Sequence, residues 1–338
     1  MDVQNLPPSV QMLQMITGYW LSQAIYVAAK LNIADLLKDE PKNVDQLAQA
    51  TQSNSEFLYR ILRALASVGI FDEFESKTFR LTPLAECLIS NTPNSVRDVA
   101  VFSGEEQYKA WGNILYSVKE GASAFQKTYG TSPFQYFVNH PEVSLLFDRS
   151  MSNVAHATHL AILAVYNFSN IETLVDVGGG KGALLKAILR ANPHLKGVLF
   201  DLPHVVQDSF DEEADADLKG RFEAVGGNFF ESVPSGYDAY ILSTVIHDWD
   251  DESSIKILKK CREAMRDDSK LLLSEFVIPP GNQPFFGKFL DLNMMIMTIG
   301  QERTEAEYKA LYESAGFNLV RIIMTPSQTS IIEGVPAV

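Results

Sequence analysis

The feature that most constrains this chain is the run Leu174-Val175-Asp176-Val177-Gly178-Gly179-Gly180-Lys181-Gly182. An apolar, β-prone segment breaks there into glycines, and the helix-periodic KGALLKAILRA follows directly. Strand, glycine turn and helix in that order form the opening half of a βαβ unit. The alternation continues downstream through VLFD, a helical run after Pro203, FEAVGGNFF, YDAYILST, a helical run after Asp250 and KLLLSEFVI. Such alternation predicts a parallel, doubly wound sheet over residues 169–338. The tail FNLVRIIMTPSQTSIIEGVPA reads as two strands around a Pro-Ser-Gln turn, so an antiparallel strand is expected to close the sheet.

Glycines at the end of the first strand permit a tight turn and let a ligand approach the backbone. The helix that follows offers unpaired N–H groups, so the loop suits something anionic or zwitterionic. Two cofactors fit. Gly178-x-Gly180-x-x-Ala183 satisfies a loose dinucleotide pattern, and Asp201 lies about 20 residues on, where an acid takes ribose hydroxyls. Asp176, however, sits two residues before the first glycine, where a carboxylate repels a diphosphate and attracts an ammonium group. The nicotinamide reading is therefore the weaker of the two.

The N-terminal half has a different texture. From Ser9 to about Leu37 the apolar positions are dense and helix-periodic with few charges, which predicts a helix covered on both sides and hints at a homodimer. Next come a short helix, a second from about Ser55 to Val68, and strands at Gly69–Glu73 and Thr78–Leu81, the order of a winged helix. A ligand-responsive regulator is the rival reading across classes. Lys and Arg do not outnumber Asp and Glu in that stretch, and the whole chain carries a formal net charge of −14, so nothing here neutralises nucleic acid or an anionic membrane. Residues 1–95 are thus expected to form a mainly helical winged-helix dimerisation domain. Residues 96–168 should form a helical connector joining the two halves. Cys87 and Cys261 form no paired motif, and no apolar run is long enough to span a bilayer. With no basic, apolar leader in MDVQNLPPSVQML, a cytoplasmic enzyme is expected.

His247 follows YDAYILSTVI and so stands at the carboxyl edge of a strand, on the same rim as the glycine loop. With an unperturbed pKa near 6.5, it should be largely neutral at cell pH and able to take a proton. Glu275, among apolar neighbours in LLLSEFVI, needs a partner if it is ionised. Glu302 precedes Thr304-x-x-Glu307, a capping-box pattern, and could serve only a helix terminus. The acids and histidines lack metal-ligand spacing such as HExxH, so no metal is expected.

The order VDVGGGKG, VLFDLP, GGNFFESVP, LSTVIHDWDDE and GQERTEAEYKALYESAGF resembles the caffeic acid and acetylserotonin type of small-molecule O-methyltransferase, including the bacterial members that decorate natural products. The resemblance covers essentially the whole chain, and the HDWDDE and GQERTEAE runs are its most specific parts. It implies S-adenosyl-L-methionine as cofactor, S-adenosyl-L-homocysteine as product and a small hydroxylated aromatic or polyketide-like acceptor. It makes Asp176, Gly178 and Gly180 contacts of the methionine part, and Asp201 and Leu202 contacts of ribose and adenine. It places Asn228 where relatives carry an acid, with Phe229 packed on adenine. Ser243 stands where plant relatives have a lysine. It also makes His247 the general base, positioned by Glu275 and Glu302 and followed by Asp248. Phe147, Met151, Asn293, Met294 and Met297 are the implied acceptor lining. Related folds methylate nitrogen or carbon, and a few have lost methyl transfer, so those alternatives stay open.

Overall fold

The computed structural model describes residues 6–337 apart from 76, 93 and 94. Its contacts divide the chain into two units. One contains the described residues up to 109 together with 136–154, and the other contains 110–135 and 155 onward.

In the first unit the apolar N-terminal stretch is not one helix. It breaks into helices Pro8–Ile16, Gly18–Lys30 and Ile33–Leu36, with Asn32 at a φ of 54°. The left-handed residue ends one helix as glycine usually does and turns the chain onto its core. Helices Val44–Thr51 and Ser55–Ser67 follow, both capped by asparagine side chains. Strands β1 (Lys42–Asn43), β2 (Phe71–Glu75) and β3 (Thr78–Leu81) pair antiparallel in the order β1-β3-β2, which completes the expected wing. Ile33, Leu47, Leu62, Leu65, Phe71 and Phe79 fill the core between helices and wing. By contrast, Met12, Leu13, Met15, Ile16, Tyr19 and Trp20 are all exposed.

The second unit is built on β4 (Thr173–Val177), β5 (Lys196–Asp201), β6 (Phe222–Gly226), β7 (Ala239–Ser243), β8 (Lys270–Phe276), β9 (Phe317–Met324) and β10 (Thr329–Pro336). Among the described residues these strands form one sheet, ordered β6-β5-β4-β7-β8-β10-β9. β4 to β8 run parallel, and β10 is antiparallel to both of its neighbours. The expected antiparallel strand therefore does not stand at the edge. The chain first lays β9 outside and then returns through the Gln328 turn to insert β10 beside β8. Leu174 to Val177 and Leu271 to Glu275 are buried throughout, as strands covered on both faces must be. Strand order reverses between β4 and β7, which places a ligand crevice outside their carboxyl ends.

Candidate active site

The glycine loop leaves β4 at this reversal. Gly178, Gly180 and Gly182 have φ values of 72°, 61° and 79°, conformations that a side chain would strain. Gly179 is required for a different reason: a Cβ there would lie 2.5 Å from the Asp176 carboxyl and 2.7 Å from Leu199. Spacing alone had singled out Gly178 and Gly180, and the close approach at Gly179 carries no sequence signal. The Asp201 carboxylate, at the end of β5, accepts from the Gly180 N–H at 2.9 Å and the Leu202 N–H at 2.6 Å, fixing the loop against the next strand.

Asp176 is only 1 % exposed, and neither of its carboxylate oxygens makes a hydrogen bond of ordinary geometry among the described residues. Burial, and then the nearby Asp201, push it up to about 7; the Leu185 backbone offsets this only in part. A buried, unpaired acid beside a glycine cradle fits a cationic group brought by a ligand. Around the crevice, Asn228 Oδ1 accepts from the Phe230 N–H, and its Nδ2 donates to Glu231. Phe229 packs edge-on against Phe230 and Trp249, with one ring carbon 3.6 Å from where a Gly178 Cβ would stand. Leu202 is exposed, and Ser243 is half-buried at the end of β7.

His247 lies in the short turn Ile246–Asp248 that follows β7. Its Nδ1 is 2.7 Å from Glu302 Oε1 and 3.8 Å from Glu275 Oε2, and both acids are buried. Glu275 Oε1 accepts from the Val245 and Ile246 N–H groups at 3.0 and 2.9 Å, so this acid holds the turn as well as facing the ring. The Glu302 N–H donates to Asp291 at 2.8 Å. The capping box is present, but it is made by Thr304 and Glu307, which leaves the Glu302 carboxylate free to face the histidine. Nε2 makes no hydrogen bond among the described residues, and Asp248 Oδ1 lies 4.0 Å from it. The three groups could also hold a metal ion, since their ligand atoms all lie within 4.8 Å. The Nδ1–Oε1 separation and the backbone donors on Glu275 equally satisfy a hydrogen-bonded dyad.

The expectation of a largely neutral imidazole is not met. Burial alone would lower the His247 pKa, but Glu275 and then Glu302 outweigh it and hold the ring at about 10. Burial raises Glu275 to about 7, with His247 pulling the other way. The groups titrate as a cluster, and the two carboxylates favour the protonated ring.

The remaining candidates lie on helices. Asn293 Oδ1 accepts from Trp111 Nε1 at 3.0 Å, and Met294 and Met297 are buried on the same Gly287–Met297 helix. In the other unit Phe147 stacks on Phe137 and packs against Phe102, and Met151 is exposed. Sequence reasoning passed over Trp249, Asp291, Gly300 and Arg303, all of which touch the residues around His247 or Glu302.

A glycine loop at the strand reversal, a buried acid beside it and a histidine–glutamate pair after the neighbouring strand lie on a Rossmann-like sheet. The chain belongs to the O-methyltransferase family: residues 111–318 match the O-methyltransferase domain and residues 13–91 the O-methyltransferase dimerisation domain. It is an S-adenosylmethionine-dependent methyltransferase. It is 47 % identical to the phenazine O-methyltransferase PhzM of Lysobacter antibioticus over 98 % of this chain and 97 % of that one. The solved structure of LaPhzM superposes with a TM-score of 0.94, covering 98 % of this chain and all of the other. CalO1, a methyltransferase in calicheamicin biosynthesis solved with S-adenosylhomocysteine bound, is 33 % identical over the full length of both chains, with a TM-score of 0.85.

Proposed function

We propose that this enzyme methylates a phenolic hydroxyl of a small planar natural product, with His247 as general base. The observation that carries the reading is the His247–Glu302 contact of 2.7 Å, which occupies Nδ1 and leaves Nε2 to take a proton. When bound, S-adenosylmethionine supplies an electrophilic methyl group on a sulfonium. Asp176, with the backbone of Gly178 and Gly180, is assigned to its methionine part; Asp201 and Leu202 are assigned to ribose and adenine, and Asn228, Phe229 and Ser243 to the surrounding wall.

A neutral phenol is a poor nucleophile, so His247 must accept its proton as the oxygen attacks. An imidazole made more basic by Glu275 and Glu302 is better matched to a phenol, whose own value is about 10. Glu302 and Glu275 then stabilise the imidazolium and keep its tautomer. The base acts in its neutral form, and a cationic ligand nearby favours that form by charge repulsion. Asn293, Met294 and Met297 are assigned to acceptor recognition, and Phe147 and Met151 carry the same assignment on the family resemblance alone. The relative's phenazine acceptor makes hydroxylated tricyclic aromatics the first class to screen. The same reading assigns residues 1–95 to homodimerisation, 96–168 to a connector and 169–338 to cofactor and chemistry.

The test is methyl transfer from labelled cofactor to hydroxyphenazines and simpler phenols, with the product position read by mass spectrometry and NMR. O-methylation lost at least 100-fold in His247→Ala supports the reading. Methylation of ring nitrogen, or turnover unchanged in His247→Ala, overturns it.

A further inference from the structure

The mechanism leaves one costly feature unexplained: Arg303 is completely buried. A guanidinium in the interior is tolerated only when its N–H groups are satisfied, and here they are spent almost entirely on neutral acceptors. Nη1 donates to Ile246 O at 3.2 Å and Gln301 O at 3.3 Å. Nη2 donates to Trp249 O at 2.9 Å and Ser254 Oγ at 3.2 Å. The single carboxylate partner among the described residues, Asp251, is 63 % exposed, and its Oδ1 lies 2.9 Å from both Nε and Nη2.

Those carbonyls are not scattered. Ile246 and Trp249 bracket the turn that carries His247, and Gln301 immediately precedes Glu302. The backbone of Arg303 also bridges to Val277 and accepts from the Ile278 N–H at 2.9 Å, just beyond Glu275. All three members of the proton-transfer cluster therefore hang from segments that meet at this one residue. At Gly300 a Cβ would strike the His247 carbonyl, so the Glu302 loop is seated on the histidine's own backbone. The adjoining Ile299 and, beside His247, Thr244 hold φ values of 66° and 52°, conformations costly for β-branched residues.

We propose that Arg303 is a positioning residue for methyl transfer: its planar guanidinium ties the His247 turn to the Glu302 loop and sets the Nδ1–Oε1 contact. A lysine would keep the charge but could not span these carbonyls in one plane, which gives the proposal a sharp variant. The proposal rests on the reading of His247 as general base, so the experiment carries a readout independent of turnover.

The experiment compares wild type, Arg303→Lys and Asp251→Asn for acceptor kinetics, S-adenosylhomocysteine affinity and the NMR signal of the His247 Nδ1 proton. For Arg303→Lys the expected result is a 10- to 100-fold fall in kcat, with KM and cofactor affinity within about threefold, and a shifted or broadened Nδ1 signal. Asp251→Asn, which keeps the shape of an exposed side chain, should give a smaller loss of the same kind. Wild-type kcat and an unmoved signal in a folded Arg303→Lys overturn the proposal. If that variant fails to fold, an unchanged kcat and signal in Asp251→Asn overturn it instead. Inactive wild-type enzyme with an Nδ1 signal that still responds to Arg303→Lys would sink the general-base reading and leave the positioning role standing.

Discussion

Two of the buried groups pushed from their ordinary values, His247 and Asp176, can be separated by pH. Glu275 and Glu302 hold His247 at about 10, so the acceptor kcat/KM should rise with pH and inflect above 6.5. In Glu302→Gln that inflection should move down toward 6.5 while kcat falls about 100-fold; a flat wild-type profile from pH 7 to 9 would refute the assignment. Because the folded-state pKa is raised, the stabilisation from His247 is fully present below about 6.5 and is lost as pH rises through about 10. Asp176 is also raised, to about 7, but it is an acid. Its neutral form is favoured in the fold, so its contribution is fully present below about 4 and is lost as pH climbs through 7. Asp176→Asn should therefore raise the Tm of cofactor-free enzyme at pH 8, yet weaken S-adenosylhomocysteine at least tenfold by calorimetric titration. A variant that binds as tightly as wild type would show that the carboxylate does not meet the ligand's ammonium.

At the level of elements, the site is a set of turns whose shapes are dictated by what they must avoid. Gly179→Ala should destabilise the fold by about 1–3 kcal/mol, since the new methyl meets both the Asp176 carboxyl and Leu199. Urea titration reads this directly, and an unperturbed midpoint would show that the loop can relax. Ile299 closes the Gly287–Met297 helix in the left-handed conformation, its N–H donating to Met294 O at 3.0 Å. Glycine there should stabilise the enzyme by about 1 kcal/mol, since the αL penalty on a β-branched residue exceeds glycine's greater chain entropy. Elements with local signals were readable in advance. Asp250 caps Asp251–Ala264 through Ser253, and Thr304 with Glu307 caps Glu305–Ser314, both through contacts within one turn of chain. The break at Asn32 was not, because no glycine or proline marks it; at Thr17 the one local signal is Gly18, which opens the next helix.

Across the molecule, acidity and an exposed apolar surface assign separate tasks. The exposed Met12, Met15, Ile16, Tyr19 and Trp20 belong to a segment within the matched dimerisation domain, apart from Met12, which lies just before it. Met15→Asp should convert a dimer to monomer in sedimentation velocity, and a dimer that persists would place the interface elsewhere. The formal charge of −14 leads us to expect no retardation of arbitrary duplex in a low-salt gel shift.

The alternation of strands and helices, the glycine turn and the rim position of His247 all follow from local backbone preference and from where a strand must end. They are written in consecutive residues and could be read there. The meeting of His247 with an acid 55 positions away was legible only through the family resemblance, and the upward pull on its pKa and the burial of Arg303 were not legible at all. Each depends on which remote groups approach once water is excluded. No short-range pattern encodes that distance, although it determines the electrostatics of the site.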